Sequence, residues 1–178
     1  MNRNRIVALA VGLLLTGTLL YHYGSRGQAE AVLPAEAAPR LNMAAPSFQL
    51  TALDGATYQV GGPREKPLLL NFWASWCSPC EEEAPALASL YDKYKDKLDL
   101  YAVNLTENDD FDQVKAFTNR FKFHFPVLLD YKLEAAKKYR FQVIPTSFLI
   151  DTNGNIVDVI NLLTPEELEK KLQKLIGI

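Results

Sequence analysis

Cys77 and Cys80 are the only cysteines among 178 residues, and they stand two residues apart in Trp76-Cys77-Ser78-Pro79-Cys80. Thiols at that spacing can close a disulfide and reopen it with little backbone movement, which suits electron transfer. As a staple the pair is poor. In the chain-entropy model so short a loop is worth roughly 2 kcal/mol, against ~3 for a 15-residue loop. The spacing therefore predicts a thiol–disulfide redox centre, with a purely structural disulfide as the bland alternative. A structural zinc site wants four Cys or His ligands, and the chain offers two of each, with His22 in an apolar N-terminal run. Covalent haem attachment needs a histidine directly after the second cysteine, where Glu81 stands. No metal and no cofactor is expected.

Neighbouring segments can position such a pair. Leu68-Leu69-Leu70-Asn71-Phe72-Trp73 reads as a buried strand. Glu81 to Lys97 has helical spacing, with Leu87, Leu90, Tyr91 and Tyr94 three or four residues apart. Pro79 fits the first helical turn, where a missing N–H costs nothing. Glu81, Glu82 and Glu83 crowd the same turn, as the helix dipole favours. Cys77 is thus expected at a strand-to-helix junction, its sulfur near unpaired N–H groups that stabilise a thiolate. It is the expected nucleophile. Cys80, one turn inside the helix, is expected to be the more buried, resolving thiol.

The chain resembles the thioredoxin superfamily over about residues 44 to 178, and within it the membrane-anchored ResA/TlpA-like branch. The resemblance rests on Asn71-Phe72-Trp73-Ala74-Ser75-Trp76-Cys77-Ser78-Pro79-Cys80, on Glu83-Ala84-Pro85, and on Val143-Ile144-Pro145-Thr146-Ser147-Phe148-Leu149-Ile150-Asp151. It implies a cis bond at Pro145 beside the disulfide, and a client-binding surface from Trp76, Pro79, Ile144, Pro145 and Thr146. Thioredoxins carry a buried aspartate where this chain has Asn71, and an amide cannot move protons. The ResA-like branch has a glutamate on the helix after the motif, and Glu83 occupies that position. The family match therefore gives Glu83 a proton-handling role. On residue grounds alone it is equally a partner of the helix dipole.

Composition and the N-terminus set the outer bounds. Hydrophobic residues make up 48% of the chain and charged ones 22%, as in ordinary globular proteins. A net charge of −2 supplies no basic field for nucleic acid. Arg3 and Arg5 precede an uncharged, mostly apolar run from Ile6 to Tyr23. As a helix this run would span roughly 27 Å, close to a hydrocarbon core of about 30 Å. Basic residues ahead of it place the N-terminus in the cytoplasm. The expected organisation is a cytoplasmic tail over 1–5, a signal-anchor over 6–23, a linker over 24–40 and one domain over 41–178. Cleavage after Ala29-Glu30-Ala31 is the competing reading, and the length of the run favours an uncleaved anchor.

Strand and helix signals alternate through the rest. Ser47 to Leu50 and Thr57 to Val60 flank Asp54-Gly55, a strong hairpin signal. A strand is expected at Leu98 to Leu105 and a helix at Asp110 to Lys122 capped by Asp109 or Asp110. A short strand or turn should follow at Phe125 to Leu129, then a short helix at Leu133 to Tyr139. Ser147 to Ile150 and Ile156 to Ile160 should flank an Asn153-Gly154 turn. A last helix opens at Thr164-Pro165-Glu166-Glu167, which reads as a capping box. Phe111, Phe117, Phe121 and Tyr139 are expected in the core. The pattern predicts an α/β fold: a thioredoxin-like mixed sheet flanked by helices, with an added N-terminal β-hairpin and a single membrane anchor.

The resemblance implies an extracytoplasmic reductant on the bacterial cytoplasmic membrane, recharged by a membrane thiol transporter of the CcdA/DsbD kind. Its clients would be disulfide-containing proteins such as apocytochrome c, or envelope and spore proteins. An oxidase or isomerase of the same fold, and a redox-inert binding module, are the rival readings.

Overall fold

The structure is a computed structural model and describes residues 40–178. The expected tail over 1–5, the anchor over 6–23 and the linker up to residue 39 lie outside the described residues. Among the described residues no helix is long and apolar enough to cross a membrane.

Seven strands and four α-helices follow in the order β1 (Phe48–Thr51), β2 (Thr57–Val60), β3 (Leu68–Trp73), α1 (Ser78–Tyr94), β4 (Asp99–Asn104), α2 (Phe111–Arg120), β5 (Val127–Leu129), α3 (Glu134–Tyr139), β6 (Thr146–Ile150), β7 (Ile156–Ile160) and α4 (Pro165–Ile176). A five-stranded sheet has the order β5-β4-β3-β6-β7, and β1 and β2 form a separate antiparallel pair. β3 lies at the centre, parallel to β4 and antiparallel to β6. Every residue of β3 and of β6 is buried, as expected of mostly apolar strands in a sheet covered on both faces.

Alternation along β3 separates two cores. Leu69 and Trp73 face a core with Leu87 and Leu90 of α1, Val114 and Phe117 of α2, and Leu168 and Leu172 of α4. Leu68, Leu70 and Phe72 face the other, with Phe48 of the hairpin, Tyr139 of α3 and Phe148 of β6. Phe72 stands 5.2 Å from the Tyr139 ring and 5.9 Å from that of Phe148. The same alternation turns Asn71, a polar residue inside this strand, toward α1.

Helix ends follow local chemistry. Thr164 and Glu167 form the expected capping box at α4, with Pro165 in its first turn. Asp110 caps α2 by accepting from Gln113 N at 2.9 Å, which leaves Asp109 free for another role. α3 begins differently from the sequence reading. Leu133 is in the left-handed region at φ 54 and offers no side-chain cap. The buried carboxylate of Asp130 replaces it, accepting from Glu134 N at 2.7 Å and Ala136 N at 3.0 Å. Phe111 is also not in the core. As the first residue of α2 it is 40% exposed, and Lys115, one turn on, lies 4.7 Å from its ring centre.

Asp130→Ala should therefore destabilise the domain by about 2 kcal/mol, since two backbone donors lose a charged acceptor. Urea unfolding of parent and variant measures this; equal midpoints would show that α3 is capped without Asp130.

Candidate functional site

β3 ends at Trp73, and the chain turns into α1 through Ala74 to Cys77, with Cys77 N donating to Ala74 O at 3.3 Å. Cys77 is the N-cap of α1. Its backbone is extended, and its sulfur accepts from the backbone N–H of Cys80 at 3.2 Å. This is the position at which Ser, Thr or Asp ordinarily satisfies an unpaired donor. A sulfur placed there meets the positive end of the helix dipole, so its thiolate is favoured over its thiol.

Cys77 and Cys80 are joined as a disulfide with their Cα atoms 5.2 Å apart. One expectation fails here. The two cysteines are equally buried, at 5% and 4% exposure, so burial does not distinguish nucleophile from resolving thiol. Position does. Cys77 caps the helix from outside, and Cys80 lies within its first turn.

Across from the disulfide, the Ile144-Pro145 bond is cis. Ile144 O lies 3.7 Å from Cys77 Sγ. In the disulfide this is a contact; once reduced, the thiol has a proton to donate to that carbonyl. Behind it the loop is fastened from within. Thr146 Oγ1 donates to Val143 O at 2.6 Å and accepts from Asn161 Nδ2 at 2.8 Å, and the same amide reaches Pro145 O at 3.2 Å.

The structure thus brings the expected set together but divides it. Trp76 and Pro79 are exposed and Ile144 is half-buried, whereas Pro145 and Thr146 are buried. Val143, which the sequence reading left out, is 59% exposed beside them.

Glu83 separates from its two acidic neighbours. It is 3% exposed, while Glu82 is exposed and Glu81 pairs with Arg120 of α2 at 2.7 Å. One N–H of Asn71 donates to Glu83 Oε2 at 3.0 Å, and the amide also donates to Ser147 Oγ at 2.9 Å. Burial raises the Glu83 pKa to about 7, and the Asn71 hydrogen bond only partly opposes it. A carboxyl group that titrates near neutrality, one helical turn past Cys80, can both take and return a proton. Among the described residues no cluster of His, Cys, Asp or Glu is arranged to hold a metal ion.

Sequence reasoning missed the role of Asp109, which binds Ser75 rather than capping α2. The two are 34 residues apart, and no local signal links them. Only the parallel pairing of β3 with β4, Trp73 opposite Asn104, brings their loops together.

Known proteins resemble this chain in sequence and fold. The sequence profile of the Redoxin family matches residues 40–176. Thioredoxin-like protein YneN of Bacillus subtilis is 39% identical over 130 residues, covering 72% of this chain and 76% of that protein. Thiol-disulfide oxidoreductase ResA of Bacillus cereus is 35% identical over 182 residues, covering 98% of this chain and 99% of its own. Among solved structures, StoA from Bacillus subtilis superposes with a TM-score of 0.62 at 34% identity, covering 71% of this chain and 96% of that one. A helix-capping cysteine pair beside a cis-proline, in a fold and sequence so matched, carries one conclusion: the chain belongs to the Redoxin family within the thioredoxin superfamily, as a ResA-like thiol–disulfide oxidoreductase.

Proposed function

We propose that the protein reduces disulfides in client proteins outside the cytoplasmic membrane, tethered by a single anchor over 6–23 with its tail over 1–5 inside and a linker over 24–40. The observation that carries the reading is the pairing of a helix-capping Cys77 with a buried carboxyl at Glu83. Cys77 thiolate attacks a client sulfur, forming a mixed disulfide and releasing the other client sulfur as a thiolate. The Glu83 carboxylate then takes the Cys80 proton. Cys80 attacks Cys77 Sγ, which closes the protein's disulfide and releases the second client thiolate. The client gains two electrons and leaves as two thiolates, which take their protons from solvent; the cysteine pair loses two electrons, and the one proton that Cys80 carried rests on Glu83.

Trp76, Pro79 and Ile144 form the contact surface, while Pro145 and Thr146 hold the Ile144 carbonyl against the sulfur. The electron donor is a membrane thiol transporter of the CcdA/DsbD kind. Apocytochrome c haem-site cysteines, or envelope and spore proteins, are the client class. The relatives named thiol-disulfide oxidoreductase support the exchange chemistry, and the apolar run of membrane length over 6–23 supports the placement.

Cys80→Ala should accumulate mixed disulfides with clients in cells, and Cys77→Ala should accumulate none; non-reducing gels decide this. The reverse pattern would exchange the two roles. Glu83→Gln should slow reduction of a protein disulfide on the order of 100-fold, and it should remove a rate increase centred near pH 7. Stopped-flow rates equal to the parent's would reduce Glu83 to a dipole partner.

Stability gives a separate reading of the same group. Glu83 titrates at about 7 when folded against 4.5 when unfolded, so the folded chain holds the proton more tightly. That contribution is complete below pH 4.5 and is lost as pH rises through 7. The loss is on the order of 3 kcal/mol, and Glu83→Gln should be spared it. Urea unfolding of the oxidised proteins at the two ends of this window measures the difference; identical pH dependence would contradict it.

A further inference from the structure

Asp109 follows the short turn Thr106–Asn108 after β4 and has no part in the chemistry described above. Its carboxylate nevertheless meets a donor in each of its lone-pair directions. Oδ2 accepts from Ser75 N at 2.6 Å and Asn104 Nδ2 at 2.8 Å. Oδ1 accepts from the Ser75 hydroxyl and from Asp110 N at 2.9 Å. An ionised carboxylate has about four acceptor positions, and here protein groups fill them. Such charge-assisted bonds are the shorter and stronger kind.

The anchor of this arrangement lies in the core. Asn104 is fully buried, and its Oδ1 accepts from Thr106 Oγ1 at 3.0 Å. The amide is thereby oriented with its N–H toward Asp109. What Asp109 grips is the turn between β3 and α1, where Ser75 stands two residues before Cys77. The adjacent pair is tied in the same way: Trp76 Nε1 donates to Asn108 O at 2.9 Å. Two consecutive residues of the redox turn are thus fastened to two consecutive residues of the β4–α2 loop. Yet Trp76 leaves 62% of its surface exposed. The indole is thus fixed by its polar edge while most of its surface stays open to solvent.

We propose that Asp109 is a positioning residue that sets how Trp76 is presented to a client beside Cys77. It acts through Ser75 and the turn. It touches no reacting atom. The inference requires only the exchange activity of the family and holds for electron flow in either direction.

A purely structural role and a presentation role separate by substrate. A small disulfide such as oxidised glutathione reaches Cys77 with little help from Trp76. A protein disulfide such as that of insulin must also rest on the indole. Partial unfolding, or a change in the Cys77 thiolate, alters both rates together. The ratio of kcat/KM for insulin to that for oxidised glutathione isolates presentation. In Asp109→Ala this ratio should fall about tenfold, chiefly through KM for insulin. Asp109→Asn, which keeps one acceptor oxygen for Ser75 N, should fall less, and so should Ser75→Ala, which deletes only the hydroxyl. Adding Asp109→Ala to Trp76→Ala should cause no further fall, because the two changes act on one contact. The proposal is overturned if the ratio stays at the parent value in all three variants, or if the Asp109 and Trp76 effects add. Should the parent exchange with neither disulfide, the activity itself fails, and that result is distinct from a failure of Asp109 alone.

Discussion

The side-chain amide of Asn71 joins three elements at the centre of the domain. It donates to Glu83 on α1 and to Ser147 on β6, and Asn71 and Ser147 face each other in the β3–β6 register. All three residues are buried. Leaving such groups unpaired costs about 1–3 kcal/mol each, so a slide of α1 along the sheet, or a slip between β3 and β6, is penalised at several atoms together. Apolar packing alone tolerates small slides. This polar contact does not, and it fixes where the first turn of α1 stands relative to the start of β6. Cys77 caps that turn, and Ile144 and Pro145 lead into that strand, so the separation of Cys77 Sγ from Ile144 O is set by the same register.

The same buried carboxyl governs the electrostatics of the sulfur. The helix N-terminus favours a Cys77 thiolate by typically 0.3–1 kcal/mol and by up to ~2 in partly buried geometry. An ionised Glu83, one turn past Cys80 and six residues from Cys77, opposes it. Because burial lifts the Glu83 pKa to about 7, that opposition is absent in mildly acidic conditions and grows through neutrality. The proton that Glu83 holds below this point is the one it must give up before it can serve Cys80. Its ionisation therefore trades some thiolate at Cys77 for a base at Cys80. Asn71 brings the trade down toward neutrality by stabilising the charged form against the desolvation that opposes it.

Signals confined to a few residues were readable from the sequence. The capping box at Thr164 and Glu167, the strand Ile156–Ile160 and the placement of Pro79 in the first turn of α1 depend on neighbours within one helical turn or on simple alternation. The family motifs supplied the cis bond at Pro145, which residue physics alone would not favour. What escaped depends on backbone turns and on partners in other elements. α3 starts one residue later than expected because Leu133 is left-handed and the buried Asp130 carboxylate accepts from Glu134 N and Ala136 N. Phe111 was assigned to the core for being aromatic, but the first turn of α2 faces outward there. Cys77 and Cys80 are equally buried although one caps α1 from outside and the other lies within its first turn.

Proton handling at this site requires that Glu83 titrate near neutrality, and a carbon-13 NMR titration of its side-chain carboxyl in the oxidised protein measures this directly. There neither cysteine carries a proton, so the curve belongs to Glu83 alone. A midpoint near 7 is the predicted result; a midpoint near the ordinary glutamate value of about 4.3 would contradict the account.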